Sequence, residues 1–128
     1  MGINGFHHLA MEVENLDESI RFYTEILGFS KHLEFSGENR RIVLVDAGNG
    51  NFMELYEGRT KQSGDGSILH FAFRTDDCDP IVERVREYGS KITIEPKDVE
   101  LQSDPVYPIR IAFFEGPDGE VIELFQER

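Results

Sequence analysis

HHLAMEV (residues 7–13) and LHFAFRT (69–75) decide the fold. In the first, Leu9, Met11 and Val13 alternate with His8, Ala10 and Glu12, the two-residue period of a half-buried strand. In the second, Phe71 and Phe73 alternate with His70 and Ala72 in the same way. The residues downstream of each stretch also repeat. LDESIRFYTEILGF (16–29) and RIVLVDAGNGNFMELYE (41–57) answer CDPIVERVREYGS (78–90) and IRIAFFEGPDGEVIELFQE (109–127). The spacings agree: Asp17 lies nine residues after His8 and Asp79 nine after His70. Gly50 precedes Glu54 by four, and Gly119 precedes Glu123 by four. Self-similarity at a fixed period means one structural unit used twice.

Each unit reads as strand, helix and three strands. Asp17 is the expected helix N-cap, Ile20, Tyr23 or Phe22, Ile26 and Leu27 fall at helical spacing, and Gly28 is the natural stop. Asp79 with Pro80 repeats that start, Ile81, Val82, Val85 and Tyr88 form the apolar stripe, and Gly89 ends it. Strand-like runs come next at 30–36, 41–46 and 51–57, then at 91–95, 109–115 and 120–126. Asn49-Gly50 and Asp118-Gly119 mark hairpin turns between the last two strands of each unit. The three prolines of 96–108 predict a loop, expected to border a pocket. The reading is an α+β chain of two tandem βαβββ modules in a single domain, 1–128. Module one runs from about 4 to 57, a Gly/Ser-rich linker from 58 to 67, and module two from about 68 to 127.

Composition narrows the function classes. A chain of 128 residues, 39% hydrophobic and 30% charged, can bury a core unaided. A formal net charge of −12 repels phosphate backbones and anionic lipid, which argues against nucleic-acid and membrane partners. Cys78 is the one cysteine, so no intrachain disulfide forms, and with no signal-like N-terminus a cytoplasmic protein is expected. No stretch has the roughly 18 apolar residues of a membrane helix.

Strand phase then picks out a chemistry. With Leu9, Met11, Phe71 and Phe73 turned to the helices, His8 and His70 face the other way. Met53 with Leu55, and Ile122 with Leu124, are core partners, so Glu54 and Glu123 join the histidines' face. Each module thus offers one His from its first strand and one Glu from its last. Two neutral imidazoles and two carboxylates suit a borderline divalent cation and cancel its charge. His7, in phase with Leu9, reads as a packing or edge residue. His32 has no match in the second half, and Cys78 reads as a packed small hydrophobe.

HLAMEVENLDESIRFYTEILGF (8–29), HFAFRTDD (70–77) and GPDGEVIELF (116–125) resemble the signatures of the vicinal oxygen chelate superfamily, which includes glyoxalase I, methylmalonyl-CoA epimerase, extradiol dioxygenases and bleomycin resistance proteins. The resemblance implies a glyoxalase-like fold whose curved mixed sheets surround a metal. The His-Glu-His-Glu set is similar to that of bacterial glyoxalase I, so His8, Glu54, His70 and Glu123 carry over as metal ligands. The implied metal is Ni or Zn, with Co, Mn or Fe as further candidates. The implied activity is that of a metal-dependent lyase or isomerase, a lactoylglutathione lyase-like enzyme. It moves a proton through an enediolate on the hemithioacetal of a 2-oxoaldehyde, with Glu123 or Glu54 as base and Glu123 preferred. The implied partners are a small-molecule substrate, such as a glutathione adduct, and a second copy in a homodimer, with the metal site formed either within one chain or across two. Another epimerase, isomerase or dioxygenase of the superfamily is the alternative, and a non-catalytic, bleomycin-type drug-binding protein is a third. The chain departs from typical glyoxalases in lacking a long basic middle region; Arg40, Arg41 and Arg110 are the candidates for holding substrate carboxylates.

Overall fold

The structure, a computed structural model, describes residues 2, 6–37, 39–59 and 69–128. Most of the expected linker, 60–67, lies outside the described residues. The chain divides into two compact units, Met1–Gln62 and Ser63–Arg128.

The first unit runs β1 (His8–Val13), α1 (Leu16–Arg21) continuing into a π-helical turn (Phe22–Ile26), β2 (Ser30–Gly37), β3 (Arg40–Asp46) and β4 (Phe52–Glu57). Its sheet has the order β1-β4-β3-β2, with β1 parallel to β4 and the other pairs antiparallel. The second unit repeats this with β5 (Phe71–Arg74), α2 (Cys78–Tyr88), β6 (Ile92–Leu101), β7 (Tyr107–Glu115) and β8 (Val121–Glu127). Its order is β5-β8-β7-β6, again with one parallel pair, β5 with β8. The chain is therefore two βαβββ modules, each a four-stranded mixed sheet with a helical segment.

The alternation read from the sequence sorts the faces. Val13, Met53 and Leu55 in the first sheet, and Ala112, Phe114, Ile122 and Leu124 in the second, are buried with the helices' Leu16, Phe22, Tyr23, Cys78, Val82 and Val85. Phe22 and Tyr23 meet edge to face with centroids 5.2 Å apart. Asn49 and Gly50 both take positive φ, 56° and 76°, which makes the β3–β4 turn type I′, as the Asn-Gly pair predicts. Gly89 ends α2 at φ 107°, a backbone that disfavours any side chain.

Three boundaries differ from the sequence reading. The first helix is capped by Asn15, whose side chain accepts the Glu18 N–H at 3.0 Å, and Asp17 lies inside the first turn. The second helix starts at Cys78 with Asp77 at the cap, so Asp79 sits inside the first turn, where its side chain pairs elsewhere. The segment 96–108 is mostly strand: β6 runs on to Leu101 and β7 begins at Tyr107. Pro96 is tolerated because β6 is an edge strand whose register shifts between Ile94 and Lys97, where no ladder N–H is needed. Among the described residues no helix is long and apolar enough to cross a membrane.

Candidate metal-binding pairs

Each module brings one histidine to one glutamate. In the parallel β1–β4 pair, Ala10 lies opposite Glu54 and His8 opposite Phe52, so His8 and Glu54 are diagonal neighbours on one face. The small side chain of Ala10 leaves room between them, and His8 Nε2 lies 3.5 Å from Glu54 Oε1. The second module repeats the device. Ala72 lies opposite Glu123, His70 stands just before β5, and its Nε2 is 3.2 Å from Glu123 Oε1. The exposures match as well: each glutamate side chain is 12% exposed, and the two imidazoles are 40% and 39% exposed. Apolar cross-strand neighbours account for the burial, Leu44 beside Glu54 and Phe113 beside Glu123. The Phe113 ring also meets His70 edge-on, with centroids 5.3 Å apart.

The predicted residues are therefore brought together pairwise, His8 with Glu54 and His70 with Glu123. Among the described residues, no group of three or more His, Cys, Asp or Glu side chains gathers in a metal-holding cluster. Even so, the pairs suit a divalent ion. Each glutamate is mostly buried, and its ionisable partner is a histidine that carries charge only when protonated. A desolvated carboxylate of that kind is short of a cation. Imidazole nitrogen beside carboxylate oxygen is a donor set that borderline divalent metals accept.

Two residues set aside in the sequence reading belong to this region. His7 stands exposed at the entry to β1, not in the core, and its Nδ1 lies 3.0 Å from Nδ1 of His8. Its ring also contacts Phe52, as does His32 from β2, with centroid distances of 5.1 and 4.7 Å. The register shift between Lys31 and Leu33 falls at His32, and no spacing in the sequence announces it.

The three candidate arginines are engaged by this chain's own acids. Arg41 bonds Glu34 through Nε at 2.9 Å and Asp17 at 3.0 Å, and with Lys31 it pulls the Glu34 carboxyl down to about 2. Arg110 holds Asp79 of α2 through two bonds of 2.8 Å, which places it on the helix side of its sheet, and it keeps that carboxyl below its ordinary range. Arg40 bonds Glu12 at 2.9 Å and lies over the Tyr56 ring, 4.8 Å from the centroid. At the far end of the second sheet, Tyr107 donates to Glu127, whose other oxygen accepts from Arg74 at 3.2 Å. The hydrogen bond to Glu127 raises the Tyr107 phenol. Cys78 is fully buried, and burial pushes its thiol up, away from nucleophile chemistry.

A family model for the Glyoxalase/Bleomycin resistance protein/Dioxygenase superfamily matches residues 5–124. The chain belongs to this superfamily. Its relatives include lactoylglutathione lyase GLX1 of Arabidopsis thaliana, 33% identical over 94% of this chain. The match spans only 44% of that enzyme's length. A probable lactoylglutathione lyase of Vibrio parahaemolyticus is 29% identical, over 94% of this chain and 89% of its own. Among solved structures, TnmS3, an antibiotic binding protein from Streptomyces sp. CB03234, aligns with a TM-score of 0.76 at 27% identity. That alignment covers 100% of this chain and 99% of TnmS3. Enzyme-named relatives and a binding-named structure thus resemble this chain to a similar degree.

Proposed function

We propose that the protein is a metal-dependent lyase or isomerase of the glyoxalase I type. It would move a proton between adjacent carbons of a hemithioacetal formed from a 2-oxoaldehyde. The observation that carries this is the twice-built pair: a mostly buried glutamate with a histidine 3.2–3.5 Å away, at equivalent places in both modules. In this reading the two modules act as one domain, 1–128, and His8, Glu54, His70 and Glu123 together hold one divalent ion, Ni or Zn foremost. They do so within one chain or across a homodimer. The ion supplies positive charge where oxyanion charge develops. The protein's own part is proton handling. Glu123 has an apolar neighbour, Phe113, that excludes water, and a histidine within reach to hold the carboxylate in place. It takes the proton from the carbon beside the carbonyl and returns it to the neighbouring carbon, with Glu54 as the second candidate base.

The engaged arginines favour a neighbouring reading of the same site. Arg41 and Arg110 are tied to acids of α1, β2, α2 and β6, and Arg40 to Glu12, so none stands ready for the carboxylates of a glutathione adduct. A different chelating oxo-acid or thioester is then the substrate, with the same proton transfer. The likeness to TnmS3 supports a third reading, ligand sequestration without turnover.

The test is metal analysis of the purified chain together with turnover of the methylglyoxal–glutathione hemithioacetal in the presence of Ni or Zn, for wild type and Glu123→Gln. Bound metal with turnover that Glu123→Gln abolishes supports the first reading. Bound metal without hemithioacetal turnover excludes it and points to another oxo substrate. A protein that binds neither metal leaves the sequestration reading.

A further inference from the structure

The two pairs differ in what stands behind the histidine. His70 is preceded by Leu69, 83% exposed, which offers no side-chain hydrogen-bonding group, and its ring rests against Phe113. His8 is preceded by His7, and the two Nδ1 atoms are 3.0 Å apart. That distance is a hydrogen bond, so one ring carries a proton there and the other a lone pair. The His7 ring lies across the His8 ring at 87°, centroids 5.3 Å apart, and is backed by Phe52. His32 covers Phe52 in turn. His7 is thus seated by aromatic contacts while its ring nitrogen is aimed at the nitrogen of His8 that points away from Glu54.

A histidine ligates through a bare ring nitrogen, and the proton on its other nitrogen needs an acceptor to fix the ring. His8 presents Nε2 to Glu54 and Nδ1 to His7. We propose that His7 is a positioning residue for His8. It accepts the Nδ1–H of His8 and so holds the Nε2 lone pair toward a cation at Glu54. This rests on the metal reading above. An imidazole also serves the metal-free protein. There His7 donates from Nδ1, His8 accepts, and the His8 Nε2–H turns toward the Glu54 carboxylate. Each ring keeps one proton in both arrangements, so the exchange takes up and releases none. Among the described residues the device belongs to the first module alone, and there it makes His8 the better prepared of the two imidazole ligands.

The experiment uses the full chain, freed of metal with a chelator, and Zn(II) as the probe. Affinity is read by competition with a chromogenic chelator and imidazole tautomers by long-range ¹H–¹⁵N spectra. His7→Phe keeps an aromatic ring on Phe52 but cannot accept. His7→Gln restores an amide that accepts or donates. The expected result is zinc binding weakened roughly tenfold or more in His7→Phe, the loss typical of a removed outer partner, and largely recovered in His7→Gln. In zinc-loaded wild type, His8 shows a slowly exchanging Nδ1–H that His7→Phe loses. His7 is exposed, so both variants keep the wild-type melting temperature in chelator. Equal zinc affinity in wild type and His7→Phe, or equal losses in His7→Phe and His7→Gln, overturns the positioning role. Wild type failing to bind zinc, or His8→Ala binding as tightly as wild type, overturns the metal reading instead and the role with it.

Discussion

Glu54→Gln separates a metal ligand from an ordinary strand residue. Glutamine is nearly isosteric, and the Glu54 side chain is 12% exposed between Ala10 and Leu44, so the cavity stays filled. Its partner His8 is 3.5 Å away, too far for a strong hydrogen bond, so little is lost when the charge goes. Stability of the metal-free protein should change by less than about 1 kcal/mol. The metal-loaded protein should behave differently. A ligand that binds only the native state at one hundred times its Kd stabilises it by about 2.7 kcal/mol. With roughly 2.1 cal/mol/K of unfolding entropy per residue, this chain's melting temperature rises by about 10 °C. Losing one of the two proposed anionic ligands should weaken binding by roughly a hundredfold, at the upper end of what outer partners alone cost. At the same metal concentration the stabilisation falls to about 0.4 kcal/mol and the shift to about 1.5 °C. The assay is thermal unfolding monitored by circular dichroism, with and without Ni or Zn after chelator treatment. Glu87→Gln on the exposed side of α2 serves as the control for adventitious binding. A metal-induced shift of equal size in wild type, Glu54→Gln and Glu87→Gln would refute the assignment of Glu54 as a ligand.

Five further substitutions probe the fold and its charges. Asn15→Ala removes the acceptor for the Glu18 N–H and should cost about 1 kcal/mol, against a smaller loss for Asp17→Ala, measured by urea unfolding. Gly89→Ala places a side chain at φ 107° and should destabilise by about 1 kcal/mol or more, read the same way. Phe114→Ala empties a fully buried site in the second core and should cost about 3–5 kcal/mol. Arg41→Met tests a pH dependence. Arg41, with help from Lys31, lowers the Glu34 carboxyl from 4.5 to about 2, so the pairing contributes stability above pH 4.5 and loses it as pH falls toward 2. Arg41→Met should therefore lie below wild type in melting temperature at pH 7 and converge on it near pH 2, and a gap that stayed constant would remove Glu34 from the account.

Much of this architecture was already written locally. Within each module period-two alternation turned one histidine and one glutamate, His8 with Glu54 and His70 with Glu123, to one face of that module's sheet and Val13, Met53 and Leu55, or Ile122 and Leu124, to the other, because a strand's geometry leaves a side chain only two directions. The internal repeat fixed the count and order of elements, and Asn49-Gly50 and Gly89 fixed a turn and a helix end through backbone freedom alone. What tertiary structure decided was which of several adequate local choices prevailed. Asn15 and Asp17 are both good caps, and the packing of Leu16 into the core set the helix start that chose Asn15. Pro96 reads as a loop residue, yet an edge position with a shifted register carried the strand past it. Arg110 carries a charge that the sequence leaves unassigned, and the fold set it beside Asp79, 31 residues away. The same holds for His7 and His32, which no spacing connects to Glu54: cross-strand register and one bulge bring them to Phe52, at the edge of the first histidine–glutamate pair. Alternation is a property of neighbours in the chain, whereas partner choice among charged and aromatic groups depends on distances that only the folded sheet sets.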